Sequence, residues 1–223
     1  MTSGLAVVTG AAGALGSAVC LVLADAGYRV AGIDQAMVSG DAVAWPPPGG
    51  GGGDLADEVA AAFERVAADD EPVRALVNIV GGFRWETIGD SDVGTWDLLY
   101  RINVRTALIA TRAALPLSAA PGGALVNVGA AGSVRATAGM GAYAAAKSGV
   151  SKLTESLAEE LKDTGMRVNA VLPSIIDTPA NRADMPDAEF ARWVRPEALA
   201  AVIAFLLSED AVTGALIAVN GRV

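Results

Sequence analysis

The sequence predicts an α/β fold, one doubly wound parallel sheet of about seven strands with helices on both faces. Three observations carry this. Short apolar, β-branched runs recur along the chain, helix-like stretches separate them, and a glycine-rich turn follows the first run. Most of the runs are apolar throughout rather than alternating, as expected of strands covered by helices on both faces.

The elements follow in order. Leu5–Val8 is the first strand, and the helix Gly13–Ala26 follows its glycine turn. Arg29–Ile33 is the second strand, and Ala42–Trp45 is a short further one. Residues 46–53, three prolines and five glycines, read as an irregular surface loop, because proline lacks a donor and glycine lacks packing surface. Helix Leu55–Ala68, strand Ala75–Ile79, helix Asp92–Leu115 and strand Ala124–Val128 come next. Helix Tyr143–Lys162, strand Val168–Leu172, helix Glu197–Leu207 and strand Leu216–Val219 complete the alternation. Such alternation builds right-handed βαβ units. Residues 1–223 read as a single dinucleotide-binding and catalytic domain. The irregular stretch Asn181–Phe190 belongs to a segment, 179–195, expected to overhang the carboxyl ends of the strands as a substrate lid.

Composition excludes several kinds of chemistry. There is no histidine, which removes the commonest general base, every Ser-His-Asp arrangement and most zinc sites, so no metal site is expected. The one cysteine, Cys20, lies in a predicted helix and reads as a small core residue. A net charge of −9 argues against a nucleic-acid partner, which needs clustered Lys and Arg. No apolar run approaches a membrane span, and the chain opens straight into a strand with no leader-like stretch. The expectation is a cytoplasmic protein acting on a small molecule.

The turn Thr9-Gly10-Ala11-Ala12-Gly13-Ala14-Leu15-Gly16 would present backbone N–H groups and a helix N-terminus to a pyrophosphate, the arrangement of a Rossmann-type fold. Asp34 closes the second strand, where a carboxylate can bind the adenosine ribose hydroxyls and repel a 2′-phosphate. With no Arg or Lys in the turn, NAD(H) is favoured over NADP(H). Asp54 admits two readings, a partner for the adenine amine or only the N-cap of the helix after it.

Tyr143 and Lys147 stand four residues apart, so on a helix the phenol and the ammonium share one face. A free tyrosine titrates near 10, too high for ready acid–base work at neutral pH. The expectation is that the neighbouring cation favours the phenolate and lowers that value.

Taken together these residues resemble the short-chain dehydrogenase/reductase family over nearly the whole chain. The turn is similar to T-G-x-x-x-G-x-G, with Ala14 for the middle glycine. Asn78-Ile79-Val80-Gly81 resembles N-N-A-G, Asn103 matches the helix asparagine of a water-mediated proton relay, and Tyr143 and Lys147 match Y-x-x-x-K. Pro173–Thr178 resembles P-G-x-I-x-T, whose Ile backbone and Thr side chain hold the nicotinamide carboxamide. The resemblance implies catalysis by Tyr143, Lys147 and Asn103. It implies cofactor contacts from Gly10, Ala12, Gly13, Ala14, Leu15, Asp34, Asp54, Leu55, Val80, Gly81, Tyr143, Lys147, Pro173, Ile176 and Thr178. It also implies a homodimer or homotetramer through the helices at Asp92–Leu115 and Tyr143–Lys162.

One departure bears on the chemistry. The family's catalytic serine, thirteen residues before the tyrosine, is here Ala130, and Ser133 nearby reads as an ordinary loop residue. The dihydropteridine reductase branch is similar in this, with a small residue at that place and a preference for NADH. Gly81-Gly82-Phe83, Gly139-Met140, Asp177–Arg182 and Met185–Phe190 with Trp193 also resemble that branch. Three functions follow as expectations: an NADH-dependent reductase of a conjugated heterocycle or imine, a general alcohol dehydrogenase or ketoreductase, or an NADH-binding regulatory module. The intact Tyr143, Lys147 and Asn103 weigh against the third.

Overall fold

The computed structural model describes residues 4–34, 43–44, 61–66, 68, 71–119 and 121–223. Its strands are β1 (Leu5–Thr9), β2 (Arg29–Asp34), β3 (Val43–Ala44), β4 (Val73–Asn78), β5 (Ala124–Val128), β6 (Arg167–Pro173) and β7 (Leu216–Val219). All pair parallel in the order β3-β2-β1-β4-β5-β6-β7. The winding reverses between β1 and β4, and register sets Thr9 beside Asn78 and Asn78 beside Asn127. Ligands of such sheets bind at this reversal, outside the carboxyl ends of the strands.

Alternate residues of each strand face opposite helical layers, so an apolar run serves both. Ala6, Val8, Val77 and Val126 pack against α1 (Ala14–Asp25) and α7 (Pro196–Ser208). Leu5, Val7, Leu76 and Leu125 pack against α2 (61–66), α4 (Thr106–Ala114) and α5 (Gly141–Leu161). Helices on both faces and seven strands are as the sequence predicts. Cys20 is half-buried against the first of these cores.

Three differences from the sequence expectations matter for the site. The stretch Asp92–Leu115 is not one regular helix. It divides into α3 (Val93–Tyr100), a π-helical turn Arg101–Arg105 and α4, with Asp92 capping the start by accepting from Thr95 N at 2.9 Å. The wide turn carries Asn103. Part of the stretch expected to be irregular is a short helix, α6 (Pro179–Asp184), because Thr178 caps it and Pro179 suits its first turn. The helix carrying Tyr143 starts two residues early, at Gly141. The loop at 46–53 lies outside the described residues.

Arg167 locks β6 to the end of α7. Its buried guanidinium donates to the carbonyls of Leu206, Leu207 and Glu209 at 2.7, 2.8 and 2.9 Å, closing carbonyls that the helix itself leaves open. Asn78 and Asn127 occupy matching positions in neighbouring strands. Asn78 Nδ2 donates to Asn127 Oδ1 at 2.9 Å and to Thr111 at 3.2 Å, and Asn127 Nδ2 donates to Thr154 at 2.9 Å. This polar thread ties α4, β4, β5 and α5 together just beneath the carboxyl edge.

Candidate active site

At the first turn Gly10 has φ 74°, the left-handed region, and a side chain there would come within 3.2 Å of Val80 N. A Cβ on Gly16 would strike the Gly10 carbonyl, so both glycines are required for the helix to start this close to the strand. Gly13 precedes α1 without a side-chain cap, and Ala14 and Leu15 open the helix. The result is a cradle of backbone N–H groups that small residues keep open, the shape and polarity a pyrophosphate requires. Asp34, at the end of β2, accepts from Ala12 N at 2.9 Å. Its carboxylate therefore borders the cradle, as a ribose-binding group must. Asp54 and Leu55 lie outside the described residues.

Val80 and Gly81 follow β4, and Gly81 leaves no room for a side chain. A Cβ on it would lie 2.5 Å from Asn103 Oδ1 and 3.2 Å from Lys147 Nζ. These two polar groups thus converge on one spot, near enough for a single bridging water. Asn103 is buried and held by three backbone bonds. It donates to Leu99 O at 2.9 Å and Gly82 O at 3.0 Å, and accepts from Gly82 N at 3.3 Å. Lys147 is equally buried and donates to Val128 O at 2.9 Å. Burial pulls its ammonium down to about 8.

Tyr143 and Lys147 do share one face of α5, with the Lys147 nitrogen 6.0 Å from the centre of the phenol ring. The expected lowering of the tyrosine is not what the structure holds. Burial pushes Tyr143 up to about 12, since the ammonium is turned toward Val128 and the ring loses water without gaining a close cation. The phenol is therefore protonated at neutral pH and a weaker acid than a free tyrosine.

Phe83 stands edge-on to Tyr143 at 4.9 Å and is half exposed, so it lines the approach to the phenol. Trp85 packs its ring against Gly139, and Glu86 N donates to Gly139 O at 2.9 Å, docking this loop on the turn before α5. Trp193, by contrast, is a buried packing residue beside Phe190.

Ala130 is buried, at the place where the family resemblance sets a serine. Ser133 does not replace it. Its hydroxyl accepts from Ser151 Oγ at 3.3 Å and its carbonyl from Ser148 Oγ at 2.9 Å, which places it two turns along α5 from Tyr143. On the far side of the cleft, Pro173 ends β6 and Ile176 bridges to Val194. Thr178 caps α6 by accepting from Asn181 N at 3.2 Å.

Glycine cradle, acidic β2 terminus, Tyr143–Lys147 pair and π-turn asparagine thus meet at one sheet edge. The family model described as short chain dehydrogenase matches residues 4–189. The chain belongs to the short-chain dehydrogenase/reductase family. It is an oxidoreductase of that type, and the family uses nicotinamide cofactors. A cis-4-hydroxycyclohexanecarboxylate dehydrogenase of Sinomonas cyclohexanicum is 36% identical, covering 97% of this chain and 95% of its own. A 3-oxoacyl-[acyl-carrier-protein] reductase of Thermotoga maritima is 28% identical, covering 96% of this chain and 95% of its own. The aldohexose dehydrogenase of Thermoplasma acidophilum, in ligand-free form, shares the fold with a TM-score of 0.85 over 99% of this chain and 93% of its own, at 22% identity.

This short-chain dehydrogenase holds two features that the sequence reading passed over. The Asn78–Asn127 thread was signalled by the two parallel runs Ala75–Asn78 and Ala124–Asn127, each closing on asparagine. Asn181 was signalled by its place three residues after Thr178, the spacing of a helix cap.

Proposed function

We propose that this chain is an NAD(H)-dependent reductase that acts on a conjugated C=N or C=O group of a small heterocyclic substrate, in the manner of dihydropteridine reductase. The observation that carries this reading is the buried methyl of Ala130 where a substrate-polarising hydroxyl would stand, with Ser133 committed elsewhere. A simple ketone depends on such a donor, whose loss costs about 3 kcal/mol of transition-state stabilisation. A conjugated ring spreads the developing charge and depends on it less.

Bound nicotinamide supplies the hydride. Tyr143, protonated well above neutral pH, donates its proton to the substrate atom that gains charge. Lys147 stabilises the phenolate as it forms, and Asn103 holds the Gly81–Gly82 wall so that a water can link the lysine to solvent. Asp34 supports NAD(H) over NADP(H), because a second negative group beside Ala12 would meet its carboxylate. Segment 179–195 serves as the substrate lid, and the cofactor contacts are those expected from the sequence, Pro173, Ile176 and Thr178 among them. The exposed Trp96, Tyr100 and Leu108 on α3 and α4 support assembly into a homodimer or homotetramer, which we place in the cytoplasm.

The second reading, a general alcohol dehydrogenase, is favoured by the relative that oxidises a hydroxycyclohexane carboxylate. A screen of NADH oxidation separates the two. Quinonoid dihydropterin and cyclic imines are set against cyclic ketones, in the parent and in Ala130→Ser. Turnover of the heterocycles by the parent, little changed by Ala130→Ser, is expected. Ketone turnover that rises tenfold or more in Ala130→Ser, with none on heterocycles, overturns it in favour of the second reading.

A further inference from the structure

We propose that Asn181 is a positioning residue for the nicotinamide end of the cofactor, an inference that rests on the dinucleotide-binding reading above. The turn after β6 can be followed bond by bond. Ile175 O accepts from Val194 N at 2.9 Å, and Asp177 N donates to Val194 O at 2.8 Å. The Asp177 carboxylate is taken by Arg182 through Nε at 2.5 Å and a second nitrogen at 2.8 Å. Asn181 supplies the rest. Its Nδ2 donates to Ile176 O at 2.7 Å, and its backbone N–H donates to Thr178 Oγ1 at 3.2 Å.

Of the donors on this turn left without a partner among the described residues, two flank in sequence the carbonyl that Asn181 takes. One is the Ile176 N–H. The other is the Thr178 hydroxyl proton, which is free to point outward because its oxygen is already accepting. Two such donors, with the Ile176 carbonyl between them occupied by Asn181, suit a carbonyl oxygen, here that of a carboxamide. Asn181 creates that polarity: it withdraws the Ile176 carbonyl from the ligand and fixes the rotamer of Thr178. It touches neither the pyrophosphate cradle nor Asp34, so its effect is confined to one half of the cofactor.

The experiment compares NADH with ADP-ribose, which lacks the nicotinamide. Asn181→Asp keeps the shape and the backbone cap but sets an acceptor against Ile176 O, and Asn181→Ala removes the side chain. Affinities come from NADH fluorescence and ADP-ribose calorimetry, with melting temperatures measured alongside. The expected result is about tenfold weaker NADH binding in both variants, the loss of roughly one buried hydrogen bond, with ADP-ribose affinity within twofold of the parent. NADH affinity unchanged in both variants overturns the inference, as does an equal loss for both ligands, which marks a merely structural role. A parent that binds neither ligand overturns the dinucleotide reading itself.

Discussion

Replacing Lys147 with methionine should stabilise the protein at neutral pH and destabilise it at high pH. Lys147 is only 5% exposed, and among the described residues its one hydrogen bond runs to Val128 O. Burial lowers its titration from 10.5 to about 8. At about 1.4 kcal/mol per pH unit, that gap sets the cost of keeping the charge inside at about 3 kcal/mol. Methionine fills nearly the same volume without the charge but leaves the Val128 carbonyl without its donor, a loss of about 2 kcal/mol. The balance at pH 7 favours the variant by about 1 kcal/mol, or roughly 2–4 °C in melting temperature for a chain of this size. The folded value lies below the unfolded one, so between about 8 and 10.5 the unfolded chain holds the extra proton and the parent gains stability as pH rises. By pH 10 the folded lysine is neutral and most of its penalty is gone, so the variant's missing hydrogen bond outweighs what is left. Tyr143, raised to about 12, lowers stability above pH 10 in both proteins and drops out of their difference. Thermal melts of both proteins at pH 7 and pH 10 measure the effect. A variant less stable than the parent at pH 7, or a difference that does not move with pH, refutes the reasoning.

Arg167→Met strips three carbonyls at the end of α7 of their donor and should cost about 3 kcal/mol, seen as a fall of several degrees in melting temperature. Asp210→Asn, on the exposed side of the same guanidinium, should change stability by less than about 1 kcal/mol, which the same melts report. Asp34→Ala removes the carboxylate beside Ala12, and the NADH-to-NADPH affinity ratio should fall at least tenfold in fluorescence titrations; an unchanged ratio contradicts the role given to Asp34.

The sheet was legible because parallel strands covered on both faces are mostly apolar, and β1, β5 and β6 are buried at every position with only Thr9, Asn127, Arg167 and Asn169 polar. The Tyr143–Lys147 face was legible because helical spacing sets side-chain direction. The π-turn at Arg101–Arg105 was not, since one extra residue in a turn barely disturbs a periodic pattern over so long a stretch. Nor was the state of Tyr143. Spacing reports that a cation is near, but which way it points depends on the Val128 carbonyl, 19 residues upstream at the end of β5. Helix α6 is too short and polar to show a hydrophobic period, although its Thr178 and Pro179 start signal was present. That Ser133 is an ordinary loop residue was legible, and the structure sets its hydroxyl against Ser151.

Under the proposed function a partly buried, protonated phenol, Tyr143, completes hydride transfer at a nicotinamide site. The direct measurement pairs NADH affinity with single-turnover NADH oxidation in the parent and in Tyr143→Phe, using the best substrate of the screen. The account predicts equal affinity within about twofold and a transfer rate lowered by at least a hundredfold, the scale of a lost general acid. Undiminished transfer without the hydroxyl, or a parent with no affinity for NADH, would contradict it.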